Sequence, residues 1–196
     1  RRTTDWRIAS VHQAAARRLH DAVCGQASHG QTVRFISRHD VPLPLAVDYP
    51  DRLGIDRILG AYAASSRADL PAVVVDAGSA VTVDWIDVEG TFCGGAILPG
   101  LNLQSNARSG GTDALPQIRW DDGCEIRLPA KNTVEAIRSG ILAAVAAGID
   151  ALIDRYLRTA GGSDDQVAVV VTGGDSPVLC PHLRHSHRHI PNLVCR

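Results

Sequence analysis

The stretch from Ala72 to Gly100 constrains the fold most. It reads AVVVDAGSAVTVDWIDVEGTFCGGAILPG, three apolar runs rich in β-branched residues with very short connections. Connections that short leave no room for crossover helices. The runs 72–78, 80–87 and 91–100 are therefore predicted to form an antiparallel meander. The first run ends on Asp76, Gly78 and Ser79. An acid at the end of a buried strand is costly unless a cation partners it. A glycine in the turn lets backbone amides approach a phosphate with no Cβ in the way, and Ser79 adds a hydroxyl. An ordinary Asp-Ala-Gly-Ser turn has the same local sequence, so the tetrapeptide alone decides nothing.

Patterning elsewhere places this meander in a larger order. Before it, 5–11 and 31–37 read as strands, and 12–23 and 55–67 as helices, with a proline-rich loop at 39–54. After it, a short helix is expected near 101–108 and irregular chain over 112–132. The longest helical pattern follows at 133–160, where Gly140 and Gly148 suggest close helix packing. A buried strand over 167–175 ends in the pair Gly173-Gly174. Residues 176–186 read as helical and 191–196 as a last strand.

From residue 72 the order is β-β-β-α-α-β-α-β. Before it the order is β-α-β-α, the same unit without its opening meander. A duplicated unit of this kind with a nucleotide between the copies is the two-lobed actin/Hsp70/sugar-kinase architecture, a duplicated ribonuclease-H-like α/β fold. The expected division is 1–66 as a partial N-terminal lobe and 67–196 as a C-terminal lobe.

Composition removes several function classes. The formal net charge of −1 makes no electrostatic case for nucleic acid or an anionic membrane. All but one of the 20 basic residues are arginine, the exception being Lys131. No run of roughly 18 consecutive apolar residues suggests a membrane span, and the N-terminus has no signal-peptide pattern. Five scattered cysteines without CxxC spacing read as free thiols in a reducing cytoplasm. The chain opens on Arg1-Arg2 and has no methionine, so it is expected to be a piece of a longer protein.

Three further motifs can carry chemistry. In YPDRLGIDR (49–57), Asp56 and Arg57 fall in a first helical turn, where free amides and the dipole favour anions. Asp56 there can accept a proton from a substrate hydroxyl, and Arg57 can grip a carboxylate or phosphate with two donors; the plain alternative is a helix-start acid and a surface arginine. VTGGD (171–175) can lay its backbone against an adenine or ribose, or simply turn from strand to helix. HLRHSHRH (182–189) holds four histidines, but the arginines between them oppose a metal site.

Taken in order, GIDR, DAGSA, GGAILPG, TDALP, NTVEAIRSGI and VTGGD give the chain a close resemblance to the type III pantothenate kinases, from about Trp6 to Cys195. The resemblance implies phosphorylation of pantothenate by ATP, the first step of coenzyme A synthesis. It implies Asp56 as base, with Gly54, Ile55 and Arg57 in the substrate loop and Thr133 touching pantothenate. It implies Asp76 on a monovalent cation (K⁺ or NH₄⁺), and Gly78, Ser79, Gly173 and Gly174 on ATP with Mg²⁺. A homodimer is implied as well. Ser79 stands where the family has threonine, which keeps the hydroxyl. The family's substrate tyrosine has its nearest counterpart in Tyr49, about two positions late. The family's opening D-x-G-N-T hairpin is not found in the sequence, in line with the missing first meander. A non-catalytic relative, like the family's transcriptional accessory factors, is the rival expectation.

Overall fold

A computed structural model describes residues 4–25, 31–109, 118–121, 123–160 and 167–195. It contains two sheets. The smaller pairs β1 (Thr4–Ile8) with β2 (Gln31–Phe35) in parallel, joined through helix α1 (Gln13–Gly25). The larger has the order β5-β4-β3-β6-β7. Its strands are β3 (Ala72–Ala77), β4 (Ala80–Ile86), β5 (Phe92–Pro99), β6 (Ala168–Thr172) and β7 (Arg188–His189). β3, β4 and β5 are antiparallel neighbours, as the meander predicts, while β6 and β7 add in parallel on the other side of β3.

Strand alternation assigns each face of the large sheet its own layer. Val73, Val75, Ala77, Val81, Val83, Val169 and Val171 face one side. There they pack on Leu101 of α3 (Leu101–Ser109), the apolar stripe of α4 (Thr133–Ala160), and Val178 and Leu179 of α5 (Ser176–Leu179). Val74, Ile86 and Val170 face the other side, against Ile58, Ala61 and Ala64 of α2 (Ile55–Ser65) and against Val41 and Leu43. The chain upstream of α2 is stitched to the sheet edge: Ala46 N–H donates to Phe92 O and Phe92 N–H to Pro44 O, both at 2.9 Å. The chain entering the 49–57 segment is thereby tied to β5 at Pro44 and Ala46.

Several local expectations are corrected. The last strand is Arg188–His189, and residues 193–195 form a 3-10 turn. Pro191 and Asn192, the latter at φ 53°, turn the chain before another strand can start. Helix α5 is one turn, continued as a 3-10 turn at Cys180–His182 where Pro181 interrupts it. Gly148 packs closely on the sheet and not on a helix, since a Cβ there would meet Leu98 of β5 at 3.1 Å, and Gly140 is exposed, with nothing within 4 Å of a Cβ. Helix α4 is long and apolar enough to cross a membrane by length and composition. Half of its most apolar window is nevertheless buried against the rest of the chain, as in a core helix. The motif TDALP lies outside the described residues.

Candidate active site

The site forms where the α2 face of the large sheet meets the end of β3. Val74, Asp76, Thr82, Asp84 and Ile86 share that face by alternation and register. Asp84 sits beside Val74 in the layer that α2 covers, and it is only 2% exposed. Arg57, in the first turn of α2, meets it. Its Nε donates to Oδ1 at 3.0 Å and to Oδ2 at 3.3 Å, and its Nη2 makes a very short bond to Oδ1. The guanidinium also lies over the ring of Phe92, 5.4 Å from its centroid. The sheet leaves space for this pair because Gly95 stands directly across from Asp84 on β5. A Cβ at Gly95 would run into the Asp84 carboxylate and the Val83 carbonyl.

Asp56, next to Arg57 in the same turn, is exposed, and its Oδ1 accepts the Arg57 backbone N–H at 2.9 Å. Its charge acts on both sheet acids. Burial pushes the Asp76 carboxyl above its ordinary range, and the nearby Asp56 and Asp84 push it further. Burial also raises Asp84, against the pull of Arg57. Of the three carboxylates, Asp84 alone bonds the guanidinium among the described residues, so Asp56 and Asp76 leave negative charge at this end of the sheet that no arginine offsets.

Two turns close over the end of β3. Gly78 N–H donates to Ala80 O at 3.1 Å in the β3–β4 turn, and Gly100 N–H reaches Ser79 O at 3.1 Å from the end of β5. From the other side, Asp175 N–H donates to Ala77 O at 2.8 Å. This brings Gly173 so near that a Cβ would overlap the Ala77 carbonyl and crowd the Asp76 carboxylate, and its φ of 98° favours glycine independently. The VTGGD turn and the DAGSA turn, almost a hundred residues apart, therefore form one rim. Ser176 Oγ ties this rim to β7, lying 2.8 Å from His189 Nε2.

The structure gathers Asp56, Arg57, Asp76, Gly78, Ser79 and Gly173 at this end of the sheet, with Gly54 and Ile55 leading into α2 and Gly174 beside Gly173. Thr133 lies apart from this group as the exposed first residue of α4, in a turn capped by Asn132. Tyr49 is 66% exposed and stacks under Arg52 at 5.1 Å rather than joining the acids. The four histidines of 182–189 disperse to different partners: Cys124 O for His182, Asp154 for His185, His185 O for His187 and Ser176 for His189. The sequence reading missed Asp84, Phe92 and Gly95. The available signal was an acid at an inward position of VTVDWI, where alternation calls for an apolar side chain.

Strand order, layering and a glycine-rimmed acid cluster define one lobe of the actin/Hsp70/sugar-kinase class, the ATPase-like α/β fold. A family model described as type III pantothenate kinase matches residues 1–155. Among curated relatives, the type III pantothenate kinase of Rhodopirellula baltica is 44% identical over 178 residues, covering 89% of this chain and 63% of its own. That of a Synechococcus strain is 45% identical over 159 residues, covering 79% and 63%. The chain belongs to the type III pantothenate kinase family, and it spans a little under two thirds of the length of these relatives. The fold also matches the crystal structure of a protein from Campylobacter jejuni, described as a Baf family transcriptional activator. The TM-score is 0.61 at 23% identity, covering 100% of this chain and 80% of that one.

Proposed function

We propose that the protein phosphorylates the primary hydroxyl of pantothenate with ATP, yielding 4'-phosphopantothenate for coenzyme A synthesis. Family membership supports the substrate pair. The observation that carries the chemistry is the Asp56-Arg57 turn of α2 bonded to β4 through Asp84, on the sheet face where Asp76 ends β3 beside two glycine turns. In this reading the exposed Asp56 takes the hydroxyl proton, and Arg57 with Gly54 and Ile55 holds pantothenate. Gly78, Ser79, Gly173 and Gly174 contact ATP through backbone and hydroxyl groups. Asp76 holds a monovalent cation, K⁺ or NH₄⁺. A cation there offsets the burial and repulsion that raise its carboxyl, and Mg²⁺ accompanies the phosphates. Phosphoryl transfer asks mainly for positioning and charge neutralisation, which these groups supply.

The same reading makes the protein a two-lobed cytoplasmic enzyme, with 1–66 in the first lobe and 67–196 in the second, acting without nucleic acid or membrane. A homodimer fits the exposed small-residue face of α4: Ala136, Gly140, Ala144, Ala147 and Ala151. Thr133 and Tyr49, apart from the acids within one chain, are assigned to pantothenate at the completed site.

The test is direct. Full-length protein is incubated with pantothenate, ATP, Mg²⁺ and K⁺, and phosphopantothenate is followed by mass spectrometry. Stoichiometric formation of ADP and phosphopantothenate is expected. A folded protein that forms neither would exclude the kinase reading and favour the non-catalytic relative.

A further inference from the structure

We infer that Asp84 is a positioning residue for the reaction, acting through Arg57, and that Gly95 is the vacancy that lets it do so. The inference rests on the kinase reading above. Arg57 spends both Nε and Nη2 on Asp84, and its Nη1 makes no hydrogen bond among the described residues. Two bonds from one planar group to one carboxylate fix its plane as well as its place. The Phe92 ring lies under the guanidinium, 5.4 Å from centroid to Cζ. Only one edge of the guanidinium is left for a substrate, and its direction is set by β4 rather than by the flexible arginine stem.

Stability alone is a poor reason for this arrangement. A buried ion pair is weak support for a fold, because an apolar pair of similar volume serves as well. Here the residues of the α2 layer packed nearest the helix are apolar, Val74, Ile86 and Val170, with Thr82 and Asp76 further along the same face. The acid also adds repulsion to Asp76. The geometry is that of a site element: β5 gives up a side chain at Gly95, β4 supplies a carboxylate in that space, and the carboxylate directs the arginine adjoining the exposed Asp56. Pantothenate, with a carboxylate and hydroxyls, matches the remaining donor edge.

The test is a double-mutant cycle in the full-length protein: Asp84→Asn, Arg57→Ala and the two together, each assayed for KM of pantothenate, KM of ATP and kcat. Asp84→Asn is nearly isosteric. Arg57→Ala leaves a buried charge uncompensated, and the double variant removes it, so folding is checked by circular dichroism and the double variant serves if Arg57→Ala misfolds. Losing a charge-assisted hydrogen bond is worth about ten- to a hundredfold in an equilibrium. Asp84→Asn is expected to raise pantothenate KM by about that factor while ATP KM stays put. The double variant is expected to match Arg57→Ala, because Asp84 has no route to substrate except through Arg57. An unchanged pantothenate KM in Asp84→Asn overturns the inference, as does a double variant whose loss is the product of the single ones. If Arg57→Ala misfolds, a double variant no worse than Asp84→Asn overturns it too. A wild-type protein that does not phosphorylate pantothenate overturns the kinase reading and this inference together, so the two failures are distinct.

Discussion

Two arginine–aspartate clusters bridge helices to neighbouring chain, and they differ in charge balance. At the sheet end, Arg57 bonds Asp84, while Asp56 and Asp76 form no ion pair among the described residues, and burial raises Asp76 and Asp84. On α4, Asp150 and Asp154 meet both Arg184 and His185. Arg184 Nε bonds Asp150 at 3.2 Å, its Nη2 bonds Asp154 at 3.0 Å, and His185 lies 2.9 Å from Asp154. There Arg184 holds the Asp154 carboxyl below its ordinary range. This cluster is balanced in the sense that each acid has a bonded partner, and it ties the chain after α5 to α4. The unbalanced one stores repulsion that a fold alone would have no reason to keep, and such surplus marks a place where a cation or a proton is handled.

If that contrast is sound, the largest effect belongs to Asp56. As a general base it should contribute about 10²–10⁴-fold, or roughly 3–5 kcal/mol of barrier. Asp56→Asn is expected to lower kcat by that factor with ATP binding and circular dichroism near wild type. A variant keeping more than about a tenth of wild-type kcat would reduce Asp56 to an acid of the first turn of α2, bonded to the Arg57 amide.

Asp76 comes next, and here activity and stability should move in opposite directions. Its folded carboxyl is raised above the ordinary 3.8. The folded state therefore holds a proton that the unfolded chain gives up first. Stability from this group is complete below the unfolded value and is lost as pH rises through the folded one. Asp76→Asn is expected to abolish K⁺-dependent turnover while raising the denaturation midpoint near neutral pH in buffer without K⁺. It should also flatten the fall in stability from about pH 4 upward. Full activity in Na⁺ alone, or a midpoint that drops in the variant, would remove the cation role.

Much of this contrast was legible in the sequence. Asp76 and Gly78 announce themselves because they end a run of β-branched residues, and Asp56-Arg57 because they open a helix. Local patterns of that kind carry their own physics. The meander, the long helix and a buried strand ending in the Gly173-Gly174 pair followed from alternation and connection length; the parallel pairing of that strand with β3 did not. Asp84 was harder. Its meaning depends on which residue of α2 arrives over β4 and on Gly95 standing across the sheet, and neither is local. The end of the chain misled for the opposite reason. PNLVCR has strand-forming residues, but Pro191 and Asn192 make a turn and β7 had already been used at 188–189. A two-residue strand set among histidines and arginines offers no hydrophobic period to detect.

The smallest effect should come from the balanced cluster, and its smallness sharpens the comparison. Arg184 is largely exposed, with 67% of its side chain open to solvent, so water and salt screen most of what it gains. Asp150 is buried but keeps the Arg184 backbone N–H at 3.1 Å whatever the side chain does. Arg184→Ala is therefore expected to leave kcat and both KM values unchanged and to lower the denaturation midpoint only slightly, less in high salt than in low. Its pH signature has the opposite sign to that of Asp76. Asp154 is depressed in the folded state, so its contribution is present above its ordinary 3.8 and disappears as pH falls through the folded value. Removing Arg184 should lower stability slightly across the neutral region, where that contribution is present, and make the acid limb of the stability profile shallower. A change in pantothenate or ATP kinetics in Arg184→Ala would show that charge balance does not separate a structural cluster from a reacting one, and the contrast drawn between the two would fail.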